Sequence, residues 1–296
     1  MSRRATADER VNRYAALRDA AGLATRHPRY FQADWGRRVQ LTALLGGMLG
    51  LLLLGIASFE TSWARILGGM GKLGDFVVLM WPPLPSSAAN ARVYAQGLAE
   101  SVAIAFLGTL MAAVLAFPFA FLAAKNVIPN IFVHFAVRRS LDTIRAVDTL
   151  IWALIWVSAV GLGPFAGILA IACADFGIFG KLFSEAIEAT ERGPVEGVRS
   201  TGGSKAQAVR YAILPQVLPV MASQVLYFFE SNTRSATIIG IVGAGGIGLH
   251  LSELIRTLDF PSMAFVILMI LAAVALIDQV SSRLRFAMIG RRTVTV

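Results

Sequence analysis

Twenty-one consecutive residues without a charge, VQLTALLGGMLGLLLLGIASF at 39–59, set the first constraint on this chain. A helix of that length rises about 30 Å, one hydrocarbon thickness. In lipid a lone segment satisfies its own backbone N–H and C=O groups only as a helix. Further apolar runs follow at about 97–124, 146–161, 164–183, 217–242 and 262–280. The expected fold is an all-α integral membrane protein with about six transmembrane helices. Between the first two runs, SWARILGGMGKLGDFVVLMWPPLP is apolar but interrupted by glycines, Lys72 and Asp75 and closed by prolines. It is expected to be a surface or re-entrant segment rather than a seventh span. Pro118 predicts a kink in the second run.

Of the 296 residues, 56% are hydrophobic and 15% charged, and the net charge is +9. A basic balance can signal nucleic acid, but here its location decides. Segments 1–38, 124–145, 181–215 and 281–296 hold 22 of the 27 Lys and Arg residues, whereas 60–96 and 243–261 hold three and one. By the positive-inside rule both termini are expected in the cytoplasm, with lipid rather than nucleic acid as the partner of the charges. The expected organisation is a cytoplasmic or interfacial tail at 1–38, a transmembrane domain at 39–280 with a cytoplasmic loop at 184–216, and a cytoplasmic tail at 281–296. Within the first tail, Val11, Tyr14, Leu17 and Ala21 recur at helical spacing, and Tyr30, Phe31 and Trp35 follow, as in a helix lying on a membrane surface. The tail is longer than a signal-peptide n-region and no clear small-x-small site follows. An uncleaved first span is therefore expected, a cleaved signal being the alternative.

Several motifs mislead. GAGGIG at 243–248 satisfies G-x-G-x-x-G, but a dinucleotide site needs a βαβ unit and a placed acid, and these glycines follow a span on the external side. Gly243, Gly245, Gly246 and Gly248 read instead as a gate or tight turn, either presenting backbone N–H groups to an anion or simply breaking a helix. GGMGK and GGSK lack the frame of a nucleotide phosphate loop. His27, His134 and His250 are dispersed and the single Cys173 sits among apolar residues, so no catalytic constellation or metal site is expected.

The most polar interruption is VEGVRSTGGSKAQAVRYAILPQ at 195–216. Apolar and small residues at 186, 189, 193, 195 and 198 sit among charges, and Gly202-Gly203 then breaks the chain. Ser204 is placed to cap a second helix that Pro215 is expected to end. The prediction is a helical hairpin facing the cytoplasm.

The spacing of Glu196-Gly197-Val198, three residues, Gly202, nine residues and Ala212-Ile213-Leu214-Pro215 resembles the EAA loop of permease subunits in binding-protein-dependent ABC importers. Gly197 and Val198 stand where that family often has alanines, and Ala212 where isoleucine is usual. The resemblance covers about 126–285 and is nearest to phosphonate importer permeases, through VGLGPFAGILA, SEAIEATERGPVEGVRSTG, LPQVLP, FFESNTRSATIIGIVGAGGIG and SSRLR. It implies the type I importer fold in a bacterial inner membrane, a second copy of the permease, two ATP-binding subunits and an external binding protein. ATP and Mg would then sit on the partner ATPase, with no cofactor in this chain. Glu196, Gly197, Gly202, Gly203, Lys205, Arg210 and Pro215 would couple to that ATPase.

Glu230, Ser231, Asn232, Arg234 and Ser235 interrupt the fifth apolar run, where an ionised side chain costs about 2.5–3.5 kcal/mol on insertion scales. Glu230 and Arg234 are one helical turn apart and can pair. The functional reading has Arg234, with Asn232 and Ser235, donating to a passing phosphorus oxyanion, which the planar guanidinium fork suits. Asp148, Asp175 and Asp278 are explained as well by hydrogen bonds between helices. The rivals are a permease for another small solute, such as an amino acid, and a membrane oxidoreductase using the glycine motif.

Overall fold

The computed structural model describes residues 35–58 and 63–289, and every described element is helical. Most of the interfacial tail, including Val11 to Phe31, lies outside the described residues. Helix α1 (Trp35–Ser58) is the first apolar run, and α2 (Trp63–Leu79) carries the following segment as one continuous helix despite its four glycines. A division at Leu73/Gly74 separates α1 and the start of α2 from the unit that holds the core and the candidate site.

In that second unit α3 spans Ala88–Ala123, α4 Ile131–Arg145, α5 Thr149–Val160 and α6 Pro164–Glu188. A short α7 (Arg192–Ser200) and α8 (Lys205–Ala208) follow, then a π turn (Val209–Ile213), α9 (Leu214–Ile241), α10 (Ile247–Thr257) and α11 (Phe260–Ile289). Among the described residues, five helical stretches are long and apolar enough to cross a membrane. The sixth span expected at 146–161 is instead the bent pair α4 and α5, which meet at 83°. The break is built locally: Arg145 ends α4, and the Asp148 carboxylate accepts from the Leu150 N–H at 2.8 Å to start α5.

The centre of this unit is the pair α3 and α6. On α3 the buried residues Gly97, Ser101, Ala105 and Thr109, and again Ala112, Ala116 and Ala120, recur every fourth position. On α6 Ala166, Ala170 and Ala174 do the same, with Gly177 and Gly180 on the side facing α4. Lipid offers no hydrophobic drive for helix association, so the contact rests on dispersion and on small residues that let backbones approach. Phe179 and Phe183 stack at 5.1 Å and fill the wider end of the bundle beside Val217 and Met221.

Hydrogen bonds from α3 to its neighbours set the relative heights of the helices. The Ser86 N–H donates to Ser262 Oγ at the start of α11, the Ile247 N–H to Ser101 Oγ at 2.9 Å, Asn232 Nδ2 to Thr109 Oγ1 at 2.8 Å, and the Lys125 N–H to Glu188 Oε1 at 2.8 Å. With about 1.5 Å of rise per residue, α3 is about 54 Å long, and its contact with Asn232 lies about 20 Å above the Ala123 end.

Two expectations fail for physical reasons. The polar segment 185–201 is not one helix: α6 ends at Glu188, where its carboxylate pairs with Arg138 at 2.9 Å, and α7 begins only at Arg192. Pro215 does not end the hairpin's second helix, because Lys205–Ile241 runs on as one span. A proline lacks a donor, and here the adjoining π turn and the Gln216 side chain, which donates to Ala212 O at 2.8 Å, absorb the irregularity.

The α4–α6 contact gives a direct test. A Cβ at Gly177 would lie 2.7 Å from Leu141 O and 2.8 Å from Arg145 N, both backbone atoms that have no room to yield. Gly177→Val is expected to destabilise the protein by about 1–3 kcal/mol, read as a lowered melting temperature in detergent. An unchanged melting temperature would show that α4 is not seated as described.

Candidate functional site

The hairpin at one end of the bundle is terminated and restarted by local chemistry. Gly202 adopts φ +83°, its N–H donates to Arg199 O at 3.0 Å, and the Gly203 N–H donates to Val198 O at 3.0 Å. Those two bonds form the Schellman arrangement that closes a helix on a left-handed residue. Gly203 is required for a second reason, since a Cβ there would lie 2.5 Å from Val198 O. Ser204 then caps α8 reciprocally with Gln207, at 3.3 Å and 2.7 Å.

No residue of α7 is buried, and Glu196, Gly197, Lys205, Arg210 and Pro215 are exposed. Arg210 leans over the Tyr211 ring at 5.5 Å. The hairpin is fixed to the bundle by residues that the sequence did not single out: Gln216 Oε1 accepts the Glu191 N–H at 3.1 Å, and Asn126 Nδ2 donates to Ile187 O at 2.7 Å. The result is a charged, protruding elbow on a tethered base.

At the far end of α9 the glycine segment is a buried turn. Gly243, Gly245 and Gly246 have φ of +95°, +83° and +78°, and a Cβ at Gly245 would lie 2.8 Å from both Glu100 Oε1 and Pro164 N. Two backbone donors of this turn are taken by side chains of α3. The Gly246 N–H donates to Glu100 Oε1 at 3.1 Å and the Ile247 N–H to Ser101 Oγ. Gly248 packs so tightly on α9 that a Cβ would overlap the Thr237 carbonyl. No strand exists among the described residues, so the G-x-G-x-x-G spacing has no dinucleotide-binding unit around it.

Between these ends, the polar residues of α9 divide onto different faces. Asn232, 5% exposed, turns into the core, where its Nδ2 donates to both Asp175 Oδ2 and Thr109 Oγ1. It therefore does not join Arg234 in presenting donors, and Asp175 is explained by this interhelical bond. Arg234 pairs with Glu230 as the spacing predicted, Nη1 to Oε1 at 2.8 Å, with Glu230 buried and the arginine side chain 50% exposed. Arg285 of α11 reaches the other carboxylate oxygen at 3.4 Å. Ser231 and Ser235 are half-buried, with Ser235 Oγ 3.5 Å from Ser231 O. No cluster among the described residues suits a metal ion, and Cys173 is a half-buried free thiol.

This arrangement has counterparts among known proteins. HtxC of Stutzerimonas stutzeri, a transport-system permease protein assigned to phosphite, is 38% identical over 259 residues, covering 88% of this chain and 91% of HtxC. The phosphite transport system permease protein PtxC of the same organism is 34% identical, over 87% and 92%. The methionine ABC transporter MetNI, solved facing inward, superposes with a TM-score of 0.59 at 21% identity, over 68% of this chain and 99% of that one, and so shares the fold. The model of the family described as binding-protein-dependent transport system inner membrane component matches residues 116–290. A charged elbow outside, a continuous span and a buried turn at its far end are thus parts of a transport permease and not of an enzyme: the chain belongs to the binding-protein-dependent transport system inner membrane components, as a multi-pass membrane subunit of an ABC transporter.

Proposed function

We propose that this chain is the permease of an ATP-driven importer for a phosphorus oxyanion such as phosphonate, phosphite or phosphate, working with a second copy of itself, two ATPase subunits and an external binding protein. The observation that carries the substrate class is Arg234: an arginine half exposed within a membrane-crossing span, its counter-ion buried beside it. Lipid is a poor environment for such a face, so a second copy and a water-filled route best account for it. The relatives support the same class, with two phosphite permease proteins at 38% and 34% identity and the phosphate-import permease protein PhnE of Mycolicibacterium smegmatis at 40% over 63% of this chain.

ATP and Mg act on the ATPase subunits. Closure of those subunits moves the α7–α8 elbow, where Glu196, Gly197, Lys205 and Arg210 are free to make contacts, and the motion travels along the span that begins at Lys205. In this reading the hairpin and both termini lie in the cytoplasm, in keeping with the distribution of Lys and Arg. The turn at 243–248 then lies at the outer end of the route.

Two substitutions test this in vesicles holding the permease, its ATPase and its binding protein. Gly202→Val forces a β-branched residue into the left-handed region at a cost of about 1–2 kcal/mol and reshapes the elbow. The protein is expected to insert normally, while substrate-driven ATP hydrolysis and uptake fall together; normal coupling would remove the elbow from the mechanism. Arg234→Ala leaves Glu230 paired with Arg285, so the subunit is expected to fold and bind its ATPase but to lose oxyanion uptake. Full uptake of phosphite, phosphate and methylphosphonate by that variant would take Arg234 off the route.

A further inference from the structure

Glu230 is shared by two arginines. Oε1 holds Arg234 and Oε2 holds Arg285, whose Nη2 also lies 3.9 Å from Asp278 Oδ1 on an aspartate 56% exposed. Two guanidiniums thus lean on one buried carboxylate, and the second carboxylate within reach of Arg285, Asp278, is long and solvated. The four formal charges balance, but Arg285 is loosely compensated, and a loosely paired charge within a span is open to a further partner.

Beside Arg285 lies a shallow, open cavity of about 510 Å³, lined by Leu182, Ser223, Gln224, Tyr227, Phe228 and Arg285. The guanidinium stacks 5.6 Å above the Tyr227 ring, which fixes its direction. Gln224 Oε1 is buried there without a hydrogen-bond partner among the described residues. An acceptor left unsatisfied costs desolvation energy and marks a position where a donor is missing. One ligand chemistry answers both the loosely paired guanidinium and the orphan amide: a tetrahedral oxyanion carrying one proton, whose unprotonated oxygens accept from the arginine while its P–OH donates to the amide.

We propose that this cavity is a second oxyanion site on the transport route, with Arg285 and Gln224 as its contacts and Glu230 as the counter-ion exchanged between the two arginines. The idea rests on the reading of the chain as a phosphorus oxyanion importer. Ser223 and Gln224 precede Glu230 by up to two helical turns, about 10 Å, toward the hairpin end of α9. An anion leaving Arg234 therefore meets Arg285 next on its way to the cytoplasm. When it binds there, Glu230 is freed to pair fully with Arg234, and the step back is closed by charge.

The test uses the complete importer in vesicles. Arg285→Gln is expected to lower the uptake rate of phosphite and methylphosphonate by about tenfold, and Arg285→Lys, which keeps the charge and loses the fork, less. Gln224→Leu separates a ligand contact from a structural one. Removing a buried, unpaired oxygen should leave the melting temperature unchanged or raised, while uptake falls.

Wild-type uptake by R285Q and Q224L, with R234A inactive, would overturn the second site and leave the proposed function standing. Failure of the wild type to carry any phosphorus oxyanion would overturn both. A lipid phosphate offers the same charge without the P–OH, so the R285Q defect is measured in phosphatidylcholine vesicles with and without phosphatidylglycerol. An equal defect in both supports the proposal, and a defect seen only with phosphatidylglycerol assigns the cavity to a lipid headgroup and overturns it.

Discussion

The close approach of α3 and α6 is the contact on which the rest of the second unit depends. It is made of alanines, glycines and short hydroxyls rather than large side chains, because between helices in lipid the gain comes from dispersion at short range. Once those two backbones are close, the remaining helices have fixed places. Gly177 and Gly180 admit α4 against α6, and Gly167 admits the carbonyl of Ala244 from the turn beyond α9. Phe179 and Phe183 then occupy the space that opens toward Glu188, where Arg138 and the Lys125 N–H close the end of the bundle.

On that frame α9 is held from two sides at nearly one height. Asn232 ties one face to α3 and α6 through Thr109 and Asp175, and Glu230, two residues earlier, ties another face to α11 through Arg285. The two ties differ in kind. The amide nitrogen is buried and donates both of its bonds, which suits a fixed joint. The carboxylate holds two cations on its two oxygens, one of them tightly and half exposed, the other at the longer distance of 3.4 Å. In the proposed importer the first tie is the fulcrum and the second is the part that responds to an anion.

How much of this was legible in the sequence depended on the range of the interaction. Charge-free runs identified the spans because hydrogen-bond satisfaction in lipid is decided within each segment. Ser204 as a cap, Gly202-Gly203 as an elbow and the Glu230–Arg234 pair were readable because each involves neighbours within one or two turns. The bend at 145–149 was missed because Arg145 and Asp148 also fit an ordinary loop ahead of a short span. Asn232 was misassigned because its partners Thr109 and Asp175 lie 123 and 57 residues away. For the same reason the glycine segment stayed open between an anion cradle and a plain turn: nothing near it in sequence announces that Glu100 and Ser101 occupy the Gly246 and Ile247 N–H groups.

The most instructive miss is Pro215, since its failure to stop the helix is what would make the proposed coupling mechanical. From Lys205 to Ile241 the chain is one helical span of 37 residues, about 55 Å of stiff rod joining the exposed elbow to the buried glycine turn. A true break at Pro215 would let the elbow move without the rod. Two prolines, Pro215 and Pro219, and the π turn before them instead concentrate compliance in the first turns after the elbow. In the proposed importer a push at the elbow would be converted into tilt about the Asn232 joint. At the far end, Gly248 is seated against Thr237 and the Gly246 N–H is held by Glu100, so tilt of α9 must either carry that turn along or pull it off α3. In the proposed importer, continuity of α9, rather than any single charged residue on the hairpin, is the property that would make opening at one end of the route depend on force at the other.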